Sequence, residues 1–172
     1  YRKDTEQERF RIIDGRDRAQ FYLNNEHVVT QYQEEIGEDI HVAIPQEMNR
    51  VSVLMENMGR VNNGHKLLTY TQKKGLQQGV MSDIHFMLDW THYSLDFETV
   101  DFIDFNGEWQ ENTPSFYRYE LELETIEDTF IDMTGFGKGC VMVNGVNMGR
   151  FWEKGPIMTL YVGKDFLKEK NE

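Results

Sequence analysis

The 172-residue chain has one cysteine, three prolines and no apolar run approaching the ~20 residues that cross a bilayer. A single thiol, Cys140, excludes an internal disulfide and a multi-cysteine zinc site. It opens the apolar run Cys140-Val141-Met142-Val143 and reads as a buried small hydrophobe with no activating partner. Basic residues are also short: 18 Lys and Arg face 30 Asp and Glu, a net charge of −12. That charge repels nucleic acid and anionic membranes, so neither is an expected partner. His27, His41, His65, His85 and His92 share no metal-ligand spacing, and 101–107 fails the calcium-loop pattern. No metal or cofactor is therefore expected, with a structural calcium elsewhere left open. Nothing points to an oxidising compartment, which favours the cytoplasm. The chain opens at Tyr1 on a charged stretch, read as an internal start within a longer protein, so export stays open.

What is present is a core and the means to turn. Hydrophobic residues make up 39% and aromatics 13%, enough to fold rather than stay disordered. The dominant period is two, the signature of strands. Tyr117, Tyr119, Leu121 and Leu123 alternate with Arg118, Glu120, Glu122 and Glu124, which predicts a strand over 116–124 with one wet face. Further strands are predicted over 10–14, 19–23, 51–56, 80–88, 129–133 and 139–143. The one helical candidate is short, at 164–168. Asn144-Gly145 is a strong type I′ hairpin signal and Asn24-Asn25 a weaker one, since both central positions need positive φ.

An internal similarity organises these elements. Residues 23–28 align with 143–148 at an offset of about 120 positions, and Ile40-His41-Val42 aligns with Leu160-Tyr161-Val162. Asn49 then falls close to Asn171. The reading is all-β, a tandem of β-sandwich or jelly-roll units. Residues 1–68 form the C-terminal part of a first sandwich, 69–79 a polar linker, and 80–172 a second unit lacking its last strand.

No motif supplies catalytic chemistry. Adjacent acids such as Glu34-Glu35 are expected at this composition and give no sign of the paired, cleft-bound carboxylates a glycosidase needs. Gly135-Phe136-Gly137-Lys138-Gly139 lacks Walker spacing and leads into a strand, so it reads as a turn. Trp90, Trp109 and Trp152 have two uses, core packing or stacking on a sugar ring. Core or interface is preferred for Trp90 and Trp152, exposure for Trp109, and Trp109 and Trp152 are kept as sugar-stacking candidates.

Several runs carry a resemblance. Val53-Leu54-Met55-Glu56-Asn57-Met58-Gly59-Arg60-Val61-Asn62, Pro114-Ser115-Phe116-Tyr117 and Val143-Asn144-Gly145-Val146-Asn147-Met148-Gly149-Arg150-Phe151-Trp152 resemble the glycoside hydrolase family 35 β-galactosidases. The resemblance implies galactose-binding-like sandwiches that follow a catalytic (β/α)₈ barrel bearing two catalytic glutamates. This chain shows no alternating βα pattern, so it is expected to hold no catalytic residue and to have the barrel as its partner. It also implies that the stretch matching Gly59 to Gly64 approaches the barrel's pocket, which makes Arg60, Asn62, Asn63 and His65 rim candidates. The family usually has Tyr where Asn63 stands; here the amide either bonds a sugar hydroxyl or serves the turn. The function expected is a non-catalytic accessory region of an enzyme cleaving terminal β-linked galactose. An autonomous carbohydrate-binding module and a structural or dimer-forming domain are the alternatives.

Overall fold

A computed structural model of the chain describes residues 1, 5–64, 67, 72–95, 103–108, 113–155 and 157–172. Among these residues it is all-β: thirteen strands and a 3₁₀ turn at Lys164–Phe166, with every strand pair antiparallel. The chain divides into two compact units.

The first unit holds β1 (Gln7–Arg16), β2 (Arg18–Leu23), β3 (Glu26–Tyr32), β4 (Ile40–Ala43), β5 (Val51–Glu56), β6 (Gly75–Ser82) and β7 (His85–Phe86). One sheet runs β4-β1-β6-β7 and the other β3-β2-β5. Alternation decides what lies between them. Phe10 and Ile12 of β1, Ala19, Phe21 and Leu23 of β2, Ile40 of β4 and Val80 of β6 form one buried cluster. Phe10 and Phe21 meet at 5.2 Å between ring centroids. Each large apolar side chain so buried is worth about 1.5–3 kcal/mol. The intervening residues of β1 point outward, where Arg9 pairs with Asp83 at 2.5 Å and Arg11 with Asp39. Trp90 packs on this core and donates its indole N–H to the Met87 carbonyl at 3.0 Å.

The second unit holds β8 (Leu121–Glu122), β9 (Thr129–Asp132), β10 (Lys138–Val143), β11 (Val146–Trp152), β12 (Thr159–Val162) and β13 (Lys170–Asn171). Its pairs are β10-β11, β12-β9 and β13-β8. Val143, Phe151, Leu160 and Val162 are buried. Gly139, opposite Phe151 in the ladder, leaves room for that ring: a Cβ on Gly139 would lie 2.8 Å from it. The glycines of 135–139 thus serve a turn and a ring contact.

The two units repeat each other in detail. β2 and β10 occupy 18–23 and 138–143, β3 and β11 occupy 26–32 and 146–152, and both hairpins carry a β-bulge at matching places, Phe21/Tyr22 and Val141/Met142. Both turns have two residues with positive φ, Asn24 and Asn25 at 53° and 68°, Asn144 and Gly145 at 50° and 82°. Asn24 donates its N–H to the Arg50 carbonyl (2.8 Å), accepts the Arg50 N–H (2.9 Å) and gives its amide to Asn49 Oδ1 (3.0 Å). Asn144 donates to the Glu172 carbonyl (2.7 Å), accepts the Glu172 N–H (3.1 Å) and gives its amide to Asn171 Oδ1 (2.9 Å). Asn49 and Asn171 are both buried, and each donates to the carbonyl three residues before it, Gln46 and Lys168.

Three expectations are corrected. The stretch 69–79 is not a linker throughout, because Gly75–Ser82 is β6, paired along β1, and β6 and β7 belong to the first unit rather than to a second one starting at 80. Its Gln77 and Gln78 stand on exposed positions, which made a strand look like polar spacer. The strand expected over 80–88 is two strands, broken by a turn at Asp83, φ 50°. Of the strand expected over 116–124 only Leu121–Glu122 forms a ladder, and Phe116, Tyr117 and Tyr119 are exposed. Alternation marks a residue as fit for a strand, but the backbone needs a neighbour to bond.

Replacing Asn24 by Ala removes two side-chain hydrogen bonds and puts Cβ chemistry without a local polar partner at positive φ. It is expected to lower the stability of the first unit by roughly 2 kcal/mol in urea unfolding, with Asn144→Ala doing the same to the second. Burial, with Arg18 adding to it, pushes the His27 imidazole below its ordinary value. Neutral His27 therefore favours the folded state: stability is full above the ordinary histidine value and falls as pH drops below it. His27→Gln is expected to flatten that fall in melts between pH 7 and 5.

Candidate functional site

The expected rim residues follow β5 on a turn that is tied down by a buried charge. Asp17 sits between β1 and β2 and is 8% exposed. Its carboxylate accepts Lys74 Nζ at 2.6 and 2.9 Å and the Met58 N–H at 2.9 Å, while its own N–H donates to the Glu56 carbonyl at 2.9 Å. One residue thus anchors the end of β5, the turn after it and the start of β6. A buried charge is tolerated only when paired and hydrogen-bonded, and here both conditions hold. Beside it Arg18 pairs with Glu56 at 3.1 Å and lies over the Tyr32 ring at 5.7 Å.

The turn itself is built from Asn57-Met58-Gly59-Arg60. Asn57 Oδ1 accepts the Gly59 N–H at 2.8 Å, and Gly59 has φ 107°, a conformation that glycine adopts without strain. Val61 is then held on both backbone groups by the Gln72 side chain, each at 3.3 Å. Arg60, Asn62 and Asn63 are exposed on this fixed segment, so the structure brings three of the four expected residues onto one loop. His65 lies outside the described residues. Gly64, with φ 98°, continues the turn beyond Asn63.

An open cleft of about 410 Å³ adjoins the turn, lined by Asp17, Tyr32, Glu34, Glu35, Arg60 and Lys74 among others. It has the charge to bind a polar ligand. The Glu35 carboxylate accepts the Tyr32 N–H at 2.8 Å and so closes the turn after β3. Among the described residues, no three of His, Cys, Asp and Glu are placed to hold a metal ion. Asp17, Lys74 and Gln72 escaped sequence reasoning: Asp17 and Lys74 are 57 positions apart, and neither lies in a motif.

In the second unit Trp152 ends β11, half-buried, with its ring against Gly155. Trp109 lies outside the described residues. A different aromatic pair stands on the surface. Phe130 and Tyr161, 67% and 55% exposed, meet edge to face at 5.5 Å. The Lys164 N–H, 2.9 Å from Asp128, and the Tyr161 hydroxyl hold the Asp128 carboxyl below the usual range, and the same contact raises the Tyr161 phenol. The alternation of β9 and β12 contained this pair as a signal, since Leu160 and Val162 point inward and Tyr161 must point out.

Comparison with known proteins places both units. The family described as "Beta-galactosidase, first all-beta domain" matches residues 2–96, and "Beta-galactosidase, galactose-binding domain" matches 114–172. Beta-galactosidase 1 of Dictyostelium discoideum is 32% identical over 92% of this chain and 26% of its own length. Beta-galactosidase of Xanthomonas manihotis is 34% identical over 87% of this chain and 25% of its own. The human Beta-galactosidase is 32% identical over 68% and 20% respectively. The chain thus spans about a quarter or less of the length of these curated relatives.

Lys74→Met leaves the Asp17 carboxylate buried without its cation. Removing one partner of a buried pair costs roughly 3 kcal/mol. The variant is expected to unfold at correspondingly lower urea, while Lys73→Met, one residue away, changes stability by less than about 0.5 kcal/mol.

Proposed function

The chain belongs to the β-galactosidase family, and from that footing we propose that it is a non-catalytic accessory region of an enzyme that removes terminal β-linked galactose with retention of configuration. The acid/base and the nucleophile are two glutamates on a separate catalytic barrel. This region braces that barrel and contributes the loop bearing Arg60, Asn62 and Asn63 to the rim of its pocket. The observation that carries the reading is the anchoring of that loop by Asp17, Lys74 and Gln72. A loop that merely connects β5 to β6 has no need of a paired, buried charge beneath it. A loop that must present polar groups to a substrate at fixed positions does. The presence of Asn63 where the resemblance leads one to expect Tyr gives this rim an amide in place of an aromatic wall, suited to bonding a hydroxyl rather than stacking on a ring face.

A second reading rests on Phe130, Tyr161 and Asp128. Exposed rings beside a carboxylate fixed in its charged form suit a saccharide, whose C–H face stacks while its hydroxyls donate. On this reading the second unit binds galactosides on its own.

The isolated chain is expected to show no turnover of a chromogenic β-galactoside above a buffer blank; hydrolysis by it would end the accessory reading. In the full-length enzyme Arg60→Ala is expected to raise KM about tenfold with kcat within about twofold, the loss of one charged hydrogen bond. An unchanged KM would remove Arg60 from the rim. For the second reading, calorimetric titration with galactose and lactose should give saturable heats that Tyr161→Ala abolishes.

A further inference from the structure

In an Asn-Gly pair the glycine nitrogen has no Cβ beside it, so it is free to attack the side chain of the asparagine before it. The pair occurs three times, at 63–64, 106–107 and 144–145. The three sites share their chemistry and differ in what holds the asparagine. Asn144 Nδ2 donates to the Phe166 carbonyl at 2.8 Å and to Asn171 Oδ1 at 2.9 Å, and its Oδ1 accepts the Glu172 N–H at 3.1 Å. Asn106 Nδ2 donates to Asp104 Oδ1 at 3.0 Å, and a Cβ on Gly107 would lie 3.6 Å from the Asp104 carbonyl. Asn63 is exposed, and among the described residues neither its side chain nor the Gly64 N–H makes a hydrogen bond. The space about Gly64 is open, with no atom within 4 Å of where its Cβ would stand.

We propose that Asn63 is a site of spontaneous deamidation, converted through a succinimide to isoaspartate and aspartate. The Gly64 nitrogen, its proton lost to hydroxide, attacks Asn63 Cγ. The N–Cγ bond forms. Nδ2 takes a proton from water and departs as ammonia when the Cγ–Nδ2 bond breaks. A water then adds to one of the two ring carbonyls. Cleavage of the new N–Cγ bond restores the ordinary backbone and leaves aspartate. Cleavage of the original peptide C–N bond leaves isoaspartate, with the backbone routed through Cβ and Cγ. One water is consumed, one ammonia is released and nothing is oxidised.

The surroundings set the order of the three sites. Attack by Gly145 requires the Asn144 side chain to turn away from its three partners, so the clasp must open first and the cost of opening adds to the barrier. At Asn106 the bonded Asp104 carboxylate opposes the oxyanion that forms on attack. Asn63 carries neither cost. Gln72 holds both backbone groups of Val61, so the reactive pair lies just past the tied part of the loop. The product adds one negative charge to a chain already at −12, and a carboxylate that only accepts replaces an amide that also donates. The inference concerns the chemistry of this loop and holds whether or not the loop faces a substrate.

Trypsin, which cuts after Lys and Arg, places the three pairs on separate peptides, 61–66, 75–118 and 139–150. The 172-residue chain is incubated at about pH 8, folded or in urea, and sampled by mass spectrometry, with isoaspartate resolved from aspartate by chromatography. In the folded chain the mass gain of deamidation is expected first in 61–66, about tenfold faster than in 139–150, with 75–118 between them. In urea the three rates are expected to converge to within about threefold, because only local sequence then sets them. Asn63→Gln is expected to remove the gain from 61–66. A folded chain in which 139–150 reacts as fast as 61–66, or in which 61–66 stays unmodified while it reacts in urea, would overturn the proposal. So would a gain in 61–66 that persists in Asn63→Gln, which assigns the reaction to Asn62.

Discussion

Each unit depends on one asparagine at the first position of a two-residue hairpin turn. Asn24 and Asn144 adopt the positive φ that the turn requires, and their side chains then clasp the backbone of a segment 26 and 28 residues further on. The segment so held lies beside the hairpin strand, which sets where the next strand can run. A turn residue is normally a local device. Here its amide does long-range work, and its partner is a second, buried asparagine whose own amide is fully engaged. Glycine satisfies the φ requirement equally well but cannot make the clasp, which is why asparagine comes first in both turns and glycine appears only second, at Gly145.

The same sequence can also be put to different uses. Asn-Met-Gly-Arg occurs at 57–60 and at 147–150. In both, the asparagine side chain accepts the glycine N–H, at 2.8 and 2.9 Å, and the glycine has positive φ, 107° and 132°. The local fold of the tetrapeptide is thus intrinsic. Its surroundings are not. At 147–150 it lies inside β11 at the bulge, and the ladder with β10 confines it. At 57–60 it leaves β5 and is confined by Asp17, which sits between β1 and β2. At 57–60 the arginine stands on a loop beside a polar cleft.

The outward faces of the units diverge more than their interiors. β1 carries Arg9 and Arg11 outward, bound to Asp83 and Asp39. β9 and β12 carry Phe130 and Tyr161 outward instead. Interior positions answer to packing against neighbouring elements, and both units fill them with Phe, Leu and Val. Outward positions answer to whatever the protein meets, so they are where two copies of one architecture can acquire separate roles.

Alternation, the Asn-led turns and the repeat spaced by 120 were sufficient, from residues alone, to establish an all-β chain of two related units, because each is a local property: side-chain direction has period two, and positive φ selects few residues. The loop after β5 was singled out only by the resemblance that its motif carries. The extent of each unit was not local. β6 became a strand because β1 offered its edge, and among the described residues no ladder includes Phe116 to Tyr119. The anchoring of the loop after β5 by Asp17, Lys74 and Gln72 likewise joins residues far apart in sequence, and no pattern in the chain encodes which charge will meet which. Backbone pairing and buried charge pairing are both relations between distant segments, so only the folded chain could decide them.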